Sequence, residues 1–255
     1  MVPFRRSLVA AFALLTCVPA LRAQEITVAA AADLQFAFQD VAARFEKQTG
    51  ARVKLIFGSS GNFFAQLQNG APFDVFFSAD IGYPQKLEAA GLTEPGTLYR
   101  YATGKIVLWA PKGSQLDVGR GLAVLLDPNV HQIAIANPEH APYGRAAVAA
   151  LKSEKLYGRL SSKFVLGENI SQTASFVVSG SADAGIIALS LALAPSMKEK
   201  GKYFEIPGDD YPAIEQAAVV MKSSPQKATA EKFVNFLKQP AIVELLKSYG
   251  FSVPE

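Results

Sequence analysis

Apolar positions along the chain follow two alternating periods, one typical of strands and one typical of helices. In the first third, strand-like runs occupy 25–28, 53–57 and 74–77, and helical spacing occupies 33–48, 62–68 and 83–90. Gly50 closes the first helical stretch. The resulting order β-α-β-α-β predicts an α/β fold with a mostly parallel sheet covered by helices.

The same alternation starts again after Gly104 and continues to the C-terminus. Strand-like runs occupy 106–110, 132–136, 164–166, 184–187 and 215–221, and helical spacing occupies 143–151, 170–178, 226–238 and 241–249. The pattern resets near 101–104 and 208–211, which indicates two crossings between lobes. We therefore expect lobe I to comprise 24–103 plus 212–255, and lobe II to comprise 104–211.

The first 23 residues have the layout of a secretory signal peptide. Arg5 and Arg6 precede a short apolar stretch, and small residues lead to a cleavage site after Ala23. That stretch is too short to span a bilayer, and no second apolar run is long enough. We expect a signal peptide at 1–23, export to the periplasm and no membrane insertion after cleavage. Lipid attachment at Cys17 is the alternative, which Thr16 and Val18 fit poorly.

Cleavage of the signal changes the chemistry that the composition allows. Cys17 is the only cysteine, so the remaining chain would have no disulfide, thiolate nucleophile or cysteine metal site. Three of the 25 basic residues are arginines of the signal, so 22 basic residues face 22 acidic ones. This neutral balance argues against the basic surface that nucleic acid or anionic lipid requires.

Candidate ligand-binding residues lie where strands lead into helices. Four such junctions are rich in small or polar residues: 29–33, 58–62, 137–144 and 167–171. In open α/β sheets, ligands bind at these carboxyl ends of the strands. A helix N-terminus offers free N–H groups and a partial positive charge, so several converging helix starts predict an anion site. Ordinary turn and capping chemistry is the alternative for each loop.

No catalytic constellation stands out, and we do not expect an enzyme. The loop Gly58 to Gly61 lacks the Gly-x-Ser-x-Gly spacing of a nucleophile elbow. His131 and His140 lack metal-ligand spacing, and no phosphate-binding Gly-x-x-x-x-Gly-Lys is present. Glu168 is interpreted as a solvated loop residue rather than a general acid or base.

Five segments together resemble the periplasmic molybdate-binding proteins of ABC transporters. They are Ile26–Ala31 followed by Asp33-Leu34, Phe57–Gly61, Gly70–Asp80, Asn137–Pro142 and Tyr249–Phe251. The resemblance implies the type II periplasmic binding protein fold, with two α/β lobes joined by hinge strands. It also implies that neutral donors hold molybdate or tungstate, without a cofactor or a cation site, for an inner-membrane ABC permease. A monomer is expected.

The same resemblance supplies the candidate site residues. Ser60 matches the serine of the second loop, and Tyr143 and Ile170 match positions that donate backbone amides. Asp33 stands where the family often has a neutral donor, and Ala188 where some members carry a tyrosine. For Asp33 the expectations are a helix cap turned away from the ligand, or an acceptor for a protonated oxyanion. The Tyr143 hydroxyl is expected to replace the missing tyrosine of position 188.

Three alternatives remain beside molybdate or tungstate capture. The same fold could bind phosphate, sulfate or a phosphonate, which Asp33 favours. A two-lobed enzyme such as the tetrapyrrole-forming deaminase attaches its cofactor to a cysteine, which the chain after Ala23 lacks. A sensing domain of a larger regulator would need a DNA-binding or transmembrane extension, and the sequence carries neither.

Overall fold

The computed structural model describes residues 24–254, so the predicted signal peptide and Cys17 lie outside the described residues. Ten strands are present: β1 Glu25–Ala31, β2 Arg52–Gly58, β3 Val75–Ser78, β4 Tyr99–Gly104, β5 Ile106–Pro111, β6 Ile133–Ala136, β7 Phe164–Gly167, β8 Ala184–Ala188, β9 Gly201–Glu205 and β10 Ile214–Val220. Nine α-helices accompany them within the described part: α1 Gln35–Thr49, α2 Ser60–Gln68, α3 Gly82–Ala89, α4 Pro142–Ser153, α5 Tyr157–Leu160, α6 Ile170–Val178, α7 Leu189–Ala192, α8 Lys227–Phe236 and α9 Pro240–Ser248.

The strands form two five-stranded sheets, each covered by helices. The first sheet has the order β2-β1-β3-β10-β4, and the second has the order β7-β6-β8-β5-β9. In each sheet the three strands that alternate with helices are parallel, whereas the other two pair antiparallel. The predicted parallel arrangement is confirmed for the three strands of each sheet that alternate with helices. One strand in each sheet, β10 in the first and β5 in the second, runs opposite to the other four. Each is the strand by which the chain enters that sheet after passing from the other one.

The chain passes between the two sheets at two places. Only Lys105 separates the end of β4 in the first sheet from the start of β5 in the second. The chain returns between β9 and β10, across 206–213. Near the C-terminus, Ser252 pairs with Thr103 in an antiparallel bridge, which ties the last residues to the first sheet.

Most predicted elements are present, and the missed ones are short or lie at sheet edges. Strands β4 and β9 are the edge strands on one side of each sheet, and polar residues interrupt their apolar pattern. Helices α5 and α7 have four residues each, too few for a helical period. Helix α1 begins two residues later than predicted because Ala32–Leu34 form a 3-10 turn. It ends at Gly50 as predicted, with φ of 73°, a conformation that glycine adopts without strain.

The first sheet and its helices enclose an aromatic cluster that fixes the position of α1. Phe38 of α1 packs edge-to-face on Phe77 of β3, with ring centroids 4.8 Å apart, and Phe77 lies 5.4 Å from Tyr101 of β4. Phe233 of α8 completes the cluster, 5.8 Å from Phe77. Rings at these distances stabilise a core beyond the area that they bury. Within the described part of the chain, every helix is too short or too polar to cross a membrane.

Candidate functional site

Four strand-to-helix junctions meet at one small cavity between the two sheets. The cavity and the solvent-open space at its mouth together enclose about 200 Å³ that is free of atoms. Its lining comes from the ends of β1 and β2, the residue after β3 and the helix starts that follow β1, β2, β6 and β7: Ala31, Ala32, Asp33, Gly58, Ser59, Ser60, Ala79, Ala141, Pro142, Tyr143, Asn169 and Ile170. The parallel strands of each sheet end on the same side, so their following loops face each other across the gap between the lobes.

Ser60 is positioned to donate its hydroxyl into the cavity. It is the first residue of α2 and is buried, and its Oγ accepts the Ala79 N–H at 2.9 Å. A serine hydroxyl has one donor and two acceptor sites, so this bond leaves the O–H available. The amide of Ser60 also lacks an intrahelical acceptor, because it lies in the first turn of the helix.

Tyr143 and Ile170 bring two further helix starts to the cavity from the second lobe. Tyr143 is the second residue of α4, after Pro142, and Ile170 is the first residue of α6. Amides in a first helical turn have no partner within the helix. The Asn169 side chain caps α6 by accepting from the amides of Ser171 and Gln172, both at 3.0 Å. The amide of Ile170 stays outside this cap and lies in the cavity wall.

Asp33 is buried beneath the cavity and does not cap its helix. The N-cap of its 3-10 turn is Ala31, without a side-chain hydrogen bond. Asp33 Oδ2 accepts the Tyr143 hydroxyl at 2.9 Å and Gln216 Nε2 at 2.7 Å. Asp33 Oδ1 has no hydrogen-bond partner among the described residues. The expectation that the Asp33 side chain caps its helix is therefore wrong.

The contacts of Asp33 form a buried network across the two lobes. Gln216 of β10 donates from Nε2 to Asp33 and to the Tyr143 hydroxyl, and its Oε1 accepts the Tyr101 hydroxyl at 2.7 Å. A register shift next to Gln216 in the pairing of β10 with β4 marks a bulge, a feature that re-aims side chains. The Tyr143 hydroxyl donates to Asp33 and accepts from Gln216, so its expected contact with the ligand stays a prediction.

Burial dominates the electrostatics of this network. Desolvation raises the pKa of Asp33 from 3.8 to about 6, although the hydrogen bonds from Gln216 and Tyr143 favour the ionised form. Desolvation also raises the pKa of Tyr143 and of Tyr101 well above the ordinary value, and the nearby Asp33 charge adds to both shifts. Both tyrosines are therefore neutral hydrogen-bond donors at physiological pH.

Ala188 is the predicted site residue that the structure does not bring to the cavity wall. It is fully buried at the end of β8 and is absent from the lining. Ser190, two residues later, connects this segment to the site instead. Its hydroxyl donates to the main-chain oxygen of Asp33 at 2.7 Å. Four of the five predicted positions thus line the cavity: Asp33, Ser60, Tyr143 and Ile170.

Polar contacts link the two lobes on one side of the cavity, where residues 59–62 of the first lobe meet His140 and Glu168 of the second. The amide of Gly61 donates to the main-chain oxygen of His140 at 2.9 Å, and His140 Nδ1 lies 3.0 Å from Ser59 Oγ. A Cβ at position 61 would lie 2.6 Å from that oxygen, so the approach requires glycine. Asn62 donates to Glu168, whose other oxygen lies 3.6 Å from His140 Nε2. Glu168 therefore contributes to the contact between lobes.

A wider cleft adjoins the cavity and opens to solvent. It holds about 670 Å³ of empty space and is lined by Asp80 and Ile81 of the first lobe, Arg145 of α4 and the segment 212–215. Arg145 pairs with Asp80 across the lobes and also lies over the ring of Tyr83. This ion pair is more than one-third exposed, so solvent screens it.

The cavity itself suits an anion held by uncharged donors. Among the described residues, no lysine, arginine or histidine lines it, and Asp33 is its only acidic residue. Residues 24–254 contain no group of three or more His, Cys, Asp or Glu side chains arranged as a metal site. The available donors are the Ser60 hydroxyl and the first-turn amides of three helices, which match the acceptor oxygens of a tetrahedral oxyanion.

Sequence reasoning missed Gln216, Tyr101, His140 and Ser171. Gln216 carried a signal, since it is a polar residue inside the apolar run of β10 and is fully buried. The Ser171 hydroxyl donates across the lobes to the main-chain oxygen of Ala32 at 2.8 Å. Helix capping explains a serine at this position equally well, so no sequence pattern predicts the contact.

Comparisons with known proteins place these observations in a family. Residues 26–252 match the family model of bacterial extracellular solute-binding proteins. The molybdate-binding protein ModA of Azotobacter vinelandii is 41% identical over 94% of both chains, and that of Rhodobacter capsulatus is 36% identical over 90% of this chain and 88% of its own. The structure of the Azotobacter vinelandii periplasmic molybdate-binding protein superimposes with a TM-score of 0.85, at 38% identity, over 90% of this chain and 100% of that one. These matches confirm the predicted two-lobed α/β fold.

Proposed function

The chain belongs to the bacterial extracellular solute-binding proteins, within the molybdate-binding family, and from this premise we propose that it captures molybdate or tungstate in the cavity between its lobes. It then delivers the anion to the permease of an ABC transporter. The molecule has a role in binding and delivery, not in catalysis. The proposal assigns the contacts with the anion to Ser60, Tyr143 and Ile170, and it gives Asp33 a separate role.

One observation carries this proposal: three helix starts and a serine hydroxyl converge on a small cavity that lacks any cationic side chain. Helix N-termini stabilise anions through free N–H groups and through the helix dipole. Hydrogen bonds to a charged group contribute roughly 1.5–3 kcal/mol each. About five or six of them reach the roughly 8–12 kcal/mol of a micromolar to nanomolar Kd once ordering costs are subtracted.

Capture works as a clamp because the donors come from both lobes. Ser60 begins α2 in the first lobe, whereas Tyr143 and Ile170 begin α4 and α6 in the second. An anion that contacts all three favours the closed arrangement by its differential affinity for it. Lobe I would comprise 24–103 plus 212–255 and lobe II 104–211, with the two crossings as hinges. Cavity size would separate molybdate and tungstate from the smaller sulfate.

The proposal extends to the place and the partners of the protein. The chain is exported by a signal peptide at 1–23 and acts as a monomer in the periplasm, where the closed form docks on the inner-membrane permease. The relatives support this location, since the matched Azotobacter vinelandii structure is of a periplasmic protein. The neutral balance of the chain after Ala23 supports a role that involves neither nucleic acid nor anionic lipid.

Titration of the purified protein with molybdate, tungstate, sulfate and phosphate tests this function. We expect micromolar molybdate and tungstate to raise the Tm and sulfate to leave it unchanged, because only a bound ligand stabilises the folded state. Ser60→Ala should weaken molybdate binding roughly 10- to 100-fold, the equivalent of one charge-assisted hydrogen bond. Ser175→Ala is the matched control, because Ser175 lies on the exposed face of α6, outside the cavity wall. Equal stabilisation by all four anions would contradict the proposal.

A protonated oxyanion such as hydrogen phosphate is the second candidate ligand. The observation that favours it is Asp33 Oδ1, a buried acceptor without a partner among the described residues. An ionised Asp33 would accept a hydrogen bond from the O–H group of a protonated anion. An anion without such a proton could not make this bond. Tight binding of phosphate with no response to molybdate would favour this candidate.

A further inference from the structure

Asp33 presents an electrostatic conflict at the bottom of the proposed anion site. The residue is 1% exposed, and it is one of those that line the cavity proposed to receive two negative charges. No cationic side chain of the described residues lines this cavity to compensate for them. Burying a carboxylate beside a dianion, without a counter-charge, costs far more than hydrogen bonds recover.

The partners of Asp33 are all neutral, and they occupy only one of its two oxygens. Tyr143 of α4 and Gln216 of β10 donate to Oδ2, and Ser190 of α7 donates to its main-chain oxygen. The hydroxyls of Tyr143 and of Tyr101 on β4 are the titratable groups that act on it. Oδ1 is left without a donor or an acceptor. Because Oδ2 accepts two hydrogen bonds, Oδ1 is the oxygen on which a proton can reside.

We propose that Asp33 is a specificity-determining residue that carries a proton on Oδ1 when the anion is bound and donates it to an anion oxygen. Capture of each dianion then takes up one proton from solvent. This inference rests on the proposed oxyanion-binding function and adds the protonation state of the site. A carboxylic acid kept neutral by its surroundings acts as a donor in other buried sites.

The electrostatics of the site support the uptake of a proton on binding. Burial already raises the pKa of Asp33 to about 6. A dianion next to the carboxyl raises that pKa further, since a nearby like charge disfavours ionisation. At pH 7.5 the carboxyl is therefore mostly ionised before binding and protonated afterwards. Above pH 6 the apparent Kd weakens as pH rises, because a larger share of the protein must first gain a proton.

This arrangement would select anions that carry no proton of their own. With Asp33 protonated, every polar group facing the ligand is a donor, so the ligand must offer acceptors only. Molybdate and tungstate meet this requirement as fully deprotonated dianions. Hydrogen phosphate does not, because its own O–H would face a donor, and an unpaired polar group in a buried site is costly.

Calorimetric titration with molybdate in buffers of different ionisation enthalpy tests the inference. At pH 7.5 the wild-type protein should take up about one proton per anion, and its Kd should weaken roughly tenfold per pH unit between pH 7 and 9. Asp33→Asn should bind with about zero proton uptake and a flat pH profile, because the Asn amide supplies the same donor without titrating. Asp40→Asn, on the outer face of α1, is the matched control and should keep the uptake of the wild type.

The possible outcomes separate this inference from the proposed function. Tight molybdate binding by the wild type without proton uptake would overturn the inference and leave the function intact. Proton uptake that persists in Asp33→Asn would place the proton on another group and would also overturn it. If the wild type binds none of the oxyanions, the proposed function fails together with the inference. The buffer dependence of the wild type decides the question even if the variant does not fold.

Discussion

Two aspartates are buried in the first lobe, and they are partnered in opposite ways. Asp74 lies just before β3, at the amino ends of the parallel strands, and both of its oxygens accept hydrogen bonds. Oδ2 accepts the Thr27 amide at 2.7 Å, and Oδ1 accepts the Ser224 hydroxyl at 2.5 Å. Asp33 lies at the carboxyl ends of the same strands, and only its Oδ2 has partners.

This difference in hydrogen bonding suits a structural role for Asp74 and the proposed role in anion binding for Asp33. Asp74 joins β1 to the segment that follows β10, and every donor near it belongs to the same lobe. Asp33 connects β10 of the first lobe with α4 of the second, and its Oδ1 has no partner among the described residues. A buried polar group without a partner is costly. Under the proposal made above, the missing partner of Oδ1 is the bound anion.

The largest expected effect comes from Asp33→Asn, which should stabilise the protein at neutral pH. The folded-state pKa of Asp33, about 6, lies above its ordinary value of 3.8. Below pH 3.8 the burial of Asp33 therefore does not lower the free energy of unfolding. As the pH rises from 3.8 through 6, the free energy of unfolding decreases, because the buried carboxyl group ionises. The variant removes this loss, so the free energy of unfolding should increase by up to about 3 kcal/mol at pH 7.5.

Urea denaturation of both proteins at pH 4 and pH 7.5, without oxyanion, measures that effect. The variant should gain little at pH 4 and most of the difference at pH 7.5, because only ionised Asp33 pays the desolvation cost. A variant that is less stable than the wild type at both pH values would show that the unpartnered oxygen carries no cost.

Asp74→Asn should have the opposite sign and a smaller size. The amide offers one acceptor oxygen where the carboxylate offers two, so either the Thr27 amide or the Ser224 hydroxyl loses its partner. We expect a loss of about 2 kcal/mol in the free energy of unfolding. The affinity for molybdate should stay unchanged, because Asp74 lies outside the cavity lining. A stabilising Asp74→Asn would remove the distinction between the two aspartates.

Tyr143→Phe has the smallest expected effect and tests the connection between the lobes. It removes one donor to Asp33, which should cost about 1 kcal/mol of stability and weaken molybdate binding about fivefold. Tyr249→Phe removes the same kind of bond, to Asp40, but within the first lobe. This control should lower stability without changing the anion affinity. Equal losses of affinity in both variants would argue against a role of the network in closure.

Much of the fold could be predicted because its signals are local. Apolar spacing located the strands and helices around the cavity, and Gly50 ended α1 as expected. The direction of β10 could not be predicted in this way, because it depends on the lobe from which the chain returns. Strand β9 was missed since it is an edge strand and exposes alternate residues to solvent.

The candidate site could be predicted in position but not in its internal contacts. Ser60, Tyr143 and Ile170 lie at helix starts, which sequence patterns reveal, and all three line the cavity. The partners of Asp33 come from α4 and β10, more than 100 residues away along the chain. Such pairings arise only when the two lobes come together, so no local pattern records them. Ala188 was assigned by resemblance alone, and burial behind the cavity wall separates it from the site.

Most donors around the cavity are main-chain amides at helix starts, and this has an evolutionary consequence. A peptide N–H is present whatever side chain the residue carries, proline excepted. The side chains at Tyr143 or Ile170 can therefore change while the same amide donors are retained, provided that the helices still begin at the same place. Under the proposed function, recognition of the anion therefore depends mainly on the path of the backbone, and Ser60 and Asp33 are the positions where the side chain itself matters.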